Sequence, residues 1–136
     1  MIGRVPDAAV DRLLARSREG WTRLTARQAW EVVAAGALLV DTRTEAHRAR
    51  TGELPGAVVI DRTVLEWRLD PTSPYRIPEA AARPRIVVVC RHGYSSSLAV
   101  RSLRDLGLDA TDVVDGVDGW VAAGLPLGPG PADVRE

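Results

Sequence analysis

Short runs of apolar residues alternate along this chain with segments of helical periodicity. The strongest run covers residues 86–89, where Ile and three Val follow one another. A continuous β-branched run of this kind is typical of a strand that is covered on both faces of a sheet. Shorter apolar runs predict further strands at residues 38–40, 57–60 and 111–114.

The segments between these runs have the spacing of amphipathic helices. Thr25 and Gln28 form a capping-box pattern at the start of one helix. Ala99, Leu103 and Leu106 share one predicted face of another helix. Helices or helical turns are predicted at residues 7–19, 25–35, 45–50, 64–69, 96–106 and 117–123. Strands and helices in alternation predict an α/β fold, a central, mostly parallel β-sheet flanked by helices on both faces.

The same pattern divides the chain into three parts. Residues 1–20 are predicted to be an N-terminal helical extension, and residues 21–127 carry the alternating elements of one domain. Residues 128–136 are rich in Pro and Gly near their start and show no periodicity, so they are predicted to be a flexible C-terminal tail. We expect Trp30 and Trp120 to lie in the core.

Composition narrows the classes of function. Eighteen basic and eighteen acidic side chains balance in charge, so no nucleic-acid partner is expected. No apolar stretch is long enough to span a membrane, and no basic and then apolar leader is present, so we expect neither membrane insertion nor secretion. All eighteen basic residues are Arg, which codon bias in a GC-rich genome explains better than phosphate binding.

The only cysteine, Cys90, directly follows the strongest predicted strand. One cysteine forms no internal disulfide, which suits the reducing cytoplasm, the expected location. A short polar loop and a helix come next, so backbone N–H groups and a helix N-terminus can face the thiol. Such groups lower the pKa of a thiol and favour the thiolate. We therefore predict that Cys90 is a nucleophile; the alternative is a small buried hydrophobe.

Four motifs, in order and spacing, resemble those of the single-domain rhodanese (thiosulfate sulfurtransferase) family over about residues 22–127. They are Leu39-Val-Asp-Thr-Arg43, Gly52-Glu-Leu-Pro-Gly-Ala57, Cys90-Arg-His-Gly-Tyr-Ser-Ser96 and Val114-Asp-Gly-Val-Asp-Gly-Trp120, the last running on to Gly124-Leu-Pro126. Two positions depart from the family pattern. Glu53 stands where the family usually has His, and Tyr94 makes the rim of the site bulkier and more aromatic. The second departure leaves the acceptor open.

The resemblance implies a rhodanese-like domain in which Cys90 attacks the outer sulfur of thiosulfate or a similar donor. The resulting persulfide would pass its sulfur to cyanide, a small thiol or a protein thiol, without a cofactor. The residues implied to bind substrate are Arg91, His92, Gly93, Tyr94, Ser95 and Ser96. Ser95 and Ser96 are also expected to cap the helix that follows. Asp41 and Arg43, at the end of another strand, are expected to brace the loops.

Three alternatives stay open. The domain could be a sulfur-relay or binding module that acts with a protein partner and turns over little alone, or, least favoured, an inert scaffold. The same fold also hosts cysteine phosphatases and arsenate reductases, but the phosphatase Cys-x5-Arg motif would need Arg where this chain has Ser96.

His47, His92 and Cys90 are not at metal-ligand spacing, so no metal site is predicted.

Overall fold

The computed structural model describes residues 8–136, which contain five strands. They are β1 (Leu38–Asp41), β2 (Val58–Val59), β3 (Ile86–Val89), β4 (Ala110–Asp112) and β5 (Asp133–Val134). All neighbouring pairs are parallel, and the order across the sheet is β4-β3-β1-β2-β5. The predicted α/β class with a mostly parallel sheet is confirmed.

Six α-helices accompany the sheet in this part of the chain. They are α1 (Ala9–Ser17), α2 (Ala26–Ala34), α3 (Glu45–Thr51), α4 (Leu65–Leu69), α5 (Ser95–Asp105) and α6 (Gly116–Ala122). Two short 3-10 helices, Arg62–Val64 and Pro78–Ala82, lie in the connection before β3. The described residues include no helix that is both long and apolar enough to cross a membrane.

Strand β3 shows why the sheet is covered on both faces. Ile86 and Val88 pack into a core cluster that also contains residues of α4 and α5. Val87 and Val89 point the other way, into a second cluster with residues of α2 and α6. Alternate residues of a strand face opposite sides, so an unbroken apolar run requires two separate cores.

The order of the strands creates a crevice at the carboxyl ends of β1 and β3. These strands are neighbours, and Asp41 pairs with Val89, the residue before Cys90. From β1 the chain continues to β2, towards one edge of the sheet, whereas from β3 it continues to β4, at the opposite edge. Ligands of open parallel sheets bind at such a switch point, because the loops diverge there.

Helix α1 is docked on the domain by α5. Arg101 of α5 donates hydrogen bonds to the carbonyl of Ser17, at 3.1 Å, and to that of Glu19. Ser17 itself is buried. The predicted N-terminal helix is therefore present from Ala9 onward, and its predicted start at residues 7–8 lies partly outside the described residues.

Two packing predictions differ from the structure. Trp120 is 1% exposed, but Trp30 is 39% exposed and meets the Trp120 ring edge-on at the surface of α2, with ring centroids 5.8 Å apart. Leu106 is also exposed. Helix α5 ends at Asp105, and Leu106 is its C-cap. Leu106 therefore does not continue the buried face of the helix that Ala99 and Leu103 form.

Residues 128–136, predicted to be a flexible tail, contain β5 in the structure. Asp133 and Val134 pair with Val58 and Val59 of β2, and the Arg135 N–H donates to the Val59 carbonyl at 2.8 Å. The Arg135 guanidinium also bridges Glu79 and Asp133, at 2.6 and 2.7 Å. Its hydrogen bonds hold the pKa of both carboxyls below their usual range.

We expect the variant Arg135→Ala to loosen this edge without unfolding the domain. Exposed ion pairs contribute about 0–1 kcal/mol, so the thermal midpoint should change little. Hydrogen exchange at the backbone amide of residue 135 should nevertheless become faster, because no guanidinium group ties β5 to Glu79 in the variant. Arg76→Ala, which removes another surface arginine bonded locally to Ser73, is the matched control. Equal exchange in Arg135→Ala and the unmodified protein would show that the backbone pairing alone holds β5.

Candidate active site

Cys90 lies at the carboxyl end of β3, at the switch point of the sheet. We define the cysteine loop as residues 90–94, after which α5 begins at Ser95. The thiol is 5% exposed. Its Sγ accepts hydrogen bonds from the backbone N–H of Gly93, at 3.2 Å, and of Ser96, at 3.4 Å. The loop therefore wraps around the sulfur and presents N–H donors to it.

The loop can adopt this path because two glycines meet beside it. Gly93 has a φ of +84°, and Gly116, where α6 begins, has a φ of +55°. A Cβ on Gly116 would lie 2.3 Å from the Cys90 carbonyl oxygen, and one on Gly93 would lie 2.8 Å from the Asp115 nitrogen. Side chains are excluded at both positions, so the loop and the start of α6 can touch through their backbones.

That contact fixes the carbonyl groups of the loop. The Val117 N–H donates to the Cys90 carbonyl at 2.9 Å, and the Asp118 N–H to the Arg91 carbonyl at 3.3 Å. Because these oxygens accept hydrogen bonds from α6, and Gly93 and Ser96 direct their N–H groups at Sγ, the sulfur meets donors rather than acceptors. A negative charge on the sulfur is stabilised by such a set of N–H groups.

On its other side, the loop is held by a buried carboxylate that the sequence analysis missed. Asp112, the last residue of β4, is fully buried. Its oxygens accept hydrogen bonds from Ser96 Oγ at 2.7 Å and Ser97 Oγ at 2.9 Å. Arg23 adds a two-point contact, at 2.7 and 3.0 Å. The only sequence signal was one acidic residue within an apolar strand.

Arg23 and Arg18 connect this carboxylate to the loop. Both guanidinium groups donate to the Gly93 carbonyl, at 2.8 and 2.9 Å. Arg18 also donates to Ser97 Oγ at 2.8 Å. Partial burial and the adjacent Arg23 charge hold the pKa of Arg18 below its usual value. Two guanidinium groups and one carboxylate thus lie beside the loop, and only Arg23 pairs with that carboxylate, which leaves this cluster net positive.

The predicted capping role of Ser95 and Ser96 is wrong. Helix α5 has Tyr94 at its N-cap position and no side-chain capping bond, so neither Ser95 nor Ser96 caps it. Ser96 instead turns inward to Asp112, since a buried carboxylate needs hydrogen-bond donors more than an exposed helix end does.

The other predicted site residues fall into two groups. Asp41 and Arg43 form a buried pair, with Nη2 and Oδ2 2.9 Å apart, and Arg43 also donates to Thr51 Oγ1 and the Gly52 carbonyl, at 2.7 and 2.9 Å. This geometry ties the end of β1 to the end of α3. Arg91, His92 and Tyr94 are exposed on the rim.

On that rim, His92 contacts Asp118, with Nδ1 and Oδ2 2.5 Å apart, and its ring lies 5.8 Å from that of Tyr94. Neither His92 nor Tyr94 hydrogen-bonds to the sulfur in the structure. The hydrogen bonds to Sγ come from the N–H groups of Gly93 and Ser96. In the part of the chain that the structure describes, no group of three or more His, Cys, Asp or Glu side chains is placed to hold a metal ion.

Comparison with known proteins identifies the family. The Rhodanese-like domain family matches residues 25–123, which is most of the chain. The thiosulfate sulfurtransferase GlpE of Haemophilus influenzae is 30% identical over 107 residues, covering 76% of this chain and 91% of that protein. The chain therefore belongs to the rhodanese-like domain family.

Two further similarities show the range of proteins that carry this fold. An Arabidopsis thaliana protein, the adenylyltransferase and sulfurtransferase MOCS3, is 32% identical over 94 residues, but this chain spans only 20% of its length. A solved structure from Rhodopseudomonas palustris superimposes with a TM-score of 0.79 at 27% identity, covering 93% of this chain and 99% of that one. That protein is described as of unknown function and a possible tyrosine phosphatase.

Removal of the Asp112 carboxylate tests the support of the loop. We expect Asp112→Ala to lower the free energy of unfolding by about 3 kcal/mol, near the lower end for breaking a buried ion pair, because Arg23 retains some contact with water. Asp109→Ala, an exposed aspartate just before β4, is the matched control and should change stability by less than about 0.5 kcal/mol. Urea unfolding followed by tryptophan fluorescence gives both values. Equal stability of the two variants would contradict the role assigned to Asp112.

Proposed function

We propose that the protein is a sulfurtransferase that carries a sulfane sulfur on Cys90. The observation that carries this proposal is the pair of hydrogen bonds from the Gly93 and Ser96 N–H groups to Sγ at the switch point of the sheet. A thiolate is the nucleophilic form of cysteine, and N–H donors directed at the sulfur favour it. Membership of the rhodanese-like domain family supports the same chemistry.

In the first half-reaction the Cys90 thiolate attacks the outer sulfur of thiosulfate or a similar donor. A bond forms between Sγ and that sulfur, and the sulfur–sulfur bond of thiosulfate breaks with its electron pair leaving on sulfite. The product is a Cys90 persulfide anion. This anion carries its charge on the outer sulfur, so the Gly93 and Ser96 N–H groups, which contact Sγ, stabilise the thiolate before the attack and again after its sulfur has been removed.

In the second half-reaction an acceptor, cyanide or a thiol, removes the outer sulfur and regenerates the thiolate. This division into two steps is covalent, ping-pong catalysis. Arg91 is exposed on the rim and attracts the dianionic donor through its charge. The residues assigned to substrate binding remain Arg91, His92, Gly93, Tyr94, Ser95 and Ser96. A free thiol at the site suits a reducing compartment such as the cytoplasm.

A relay module that delivers sulfur to one protein partner would use the same persulfide. The two functions differ in the second half-reaction, since a relay module would load sulfur but transfer it slowly to cyanide or small thiols. Rates of loading and of discharge, measured separately, therefore distinguish them.

We expect Cys90→Ser to lose thiosulfate:cyanide sulfur transfer completely, because the chain has no other thiol. The unmodified protein should gain about 32 Da after incubation with thiosulfate, the mass of one sulfur atom in a persulfide, and the serine variant should gain none. Equal urea midpoints for the two proteins would establish that the variant is folded. Thiocyanate formation by Cys90→Ser would refute the assignment of the nucleophile.

The description of the Rhodopseudomonas palustris neighbour makes phosphatase chemistry the second candidate to test. Cysteine phosphatases bind the phosphoryl group with an arginine six residues after the nucleophile, where this chain has Ser96. The Ser96 hydroxyl is buried and bonded to Asp112, so it provides no positive charge at the mouth of the loop.

We therefore expect hydrolysis of p-nitrophenyl phosphate to stay at the background set by Cys90→Ser. The variant Ser96→Arg should not gain phosphatase activity, since a guanidinium there would replace the bond to Asp112 and disturb the loop. Hydrolysis that depends on Cys90 and matches the rate of sulfur transfer would overturn the choice of reaction.

A further inference from the structure

A small cavity of about 70 Å³ lies on the outer side of the cysteine loop, between α3 and α6. We call it the arginine pocket. Its polar walls are Arg43, His47, Arg50, Thr51, Arg91 and Asp118. A water molecule occupies about 30 Å³ of liquid, so the pocket holds one group the size of a carboxylate rather than a nucleotide or a folded peptide.

The charges of the pocket are unbalanced. Arg43 is neutralised by its buried pair with Asp41, and Asp118 contacts His92. By contrast, no carboxylate among residues 8–136 lies within ion-pair distance of Arg50 or Arg91. Two arginines that form no ion pair within residues 8–136 therefore line one small cavity together with a single unburied carboxylate, that of Asp118.

His47 reports on the same excess of positive charge. Desolvation by burial and then the nearby guanidinium groups of Arg91, Arg50 and Arg43 hold its pKa below the usual range. A site that disfavours a further cation favours an anion for the same electrostatic reason. The ligand expected from the charges is an oxyanion, which guanidinium groups bind well.

The pocket also has a defined relation to the nucleophile. Arg91 follows Cys90 in the chain, and Val117 lines the pocket while its N–H donates to the Cys90 carbonyl. The groups that contact Sγ, the N–H of Gly93 and of Ser96, are not part of its lining. Cys90 is not part of the lining either, so the pocket lies beside the sulfur and not around it. A ligand that uses both must carry its anionic group several bonds away from its reacting atom.

We propose that the arginine pocket binds the carboxylate of a small thiol acceptor whose sulfur reaches the Cys90 persulfide. This inference rests on the proposed function and names the class of acceptor. In thiosulfate the reacting sulfur is bonded directly to the sulfonate. Thiosulfate therefore reaches from the arginine pocket to the Cys90 persulfide less well than a mercapto acid does. The acceptor thiolate bonds to the outer sulfur, the bond to Sγ breaks, and its electron pair stays on Cys90, which gives an acceptor persulfide and a free thiolate.

The test compares two acceptors of similar size, 3-mercaptopropionate, which carries a carboxylate, and 2-mercaptoethanol, which does not. We expect Arg50→Gln to lower the ratio of their kcat/KM values about tenfold. Arg85→Gln is the matched control, because Arg85 is also an exposed arginine but precedes β3, at the opposite end of the strand from Cys90. This control should leave the ratio unchanged.

Two results would overturn the proposal. One is an unchanged ratio in Arg50→Gln, which would show that the pocket does not select the acceptor. The other is a parallel fall in kcat/KM for thiosulfate, which would assign the pocket to the donor.

A binding measurement separates this proposal from the proposed function. In Cys90→Ser, which cannot turn over, we expect 3-(methylthio)propionate to shift the amide signals of Arg50 and Thr51 in ¹H–¹⁵N spectra. The same shifts should be absent when Arg50→Gln is added. If the signals shift but the unmodified protein transfers no sulfur, the anion site in the arginine pocket stands and the proposed sulfurtransferase function is refuted. If sulfur is transferred but the signals do not shift, the proposed function stands and the carboxylate site is refuted.

Discussion

The shape of the cysteine loop depends on the burial of one carboxylate, that of Asp112. A buried carboxylate without partners costs several kcal/mol, so the surrounding chain must bring donors to it. Arg23, Ser96 and Ser97 provide them. Since Ser96 and Ser97 lie in the first turn of α5, the carboxylate fixes where that helix starts. The Ser96 N–H that faces the sulfur is placed by the same interaction.

Asp112 and α6 hold the loop from opposite sides and leave it little freedom. Helix α6 binds the carbonyls of Cys90 and Arg91, whereas Arg18 and Arg23 bind that of Gly93. The N–H donors are therefore oriented before any charge develops on the sulfur, which is the condition for electrostatic stabilisation without reorganisation. Both arginines precede residues 25–123, the segment matched by the family. The N-terminal helix that ends beside Arg18 thus contributes to the support of the candidate site.

Local patterns predicted the parts of this arrangement that are local in sequence. The β-branched run before Cys90 identified β3, and the Thr25 and Gln28 pair identified the start of α2, whose capping box is present in the structure. The contacts of Asp112 with Arg23 join residues 89 positions apart, and no sequence pattern encodes them. Arg18 carried no signal because arginine is the only basic residue type other than histidine in the chain. Strand β5 escaped prediction because its two residues are exposed and pair through backbone bonds.

The central claim is that the Gly93 and Ser96 N–H groups stabilise negative charge on Cys90. Amide ¹H–¹⁵N spectra recorded across a pH titration of the thiol measure this directly, because a proton that hydrogen-bonds to an anion moves downfield. We predict that the Gly93 and Ser96 amide protons move together as the thiol ionises, and by more than the amide protons of Arg91, His92 and Tyr94. In Cys90→Ser both movements should vanish. Amide protons at these two positions that do not respond to ionisation of Cys90 would contradict the account.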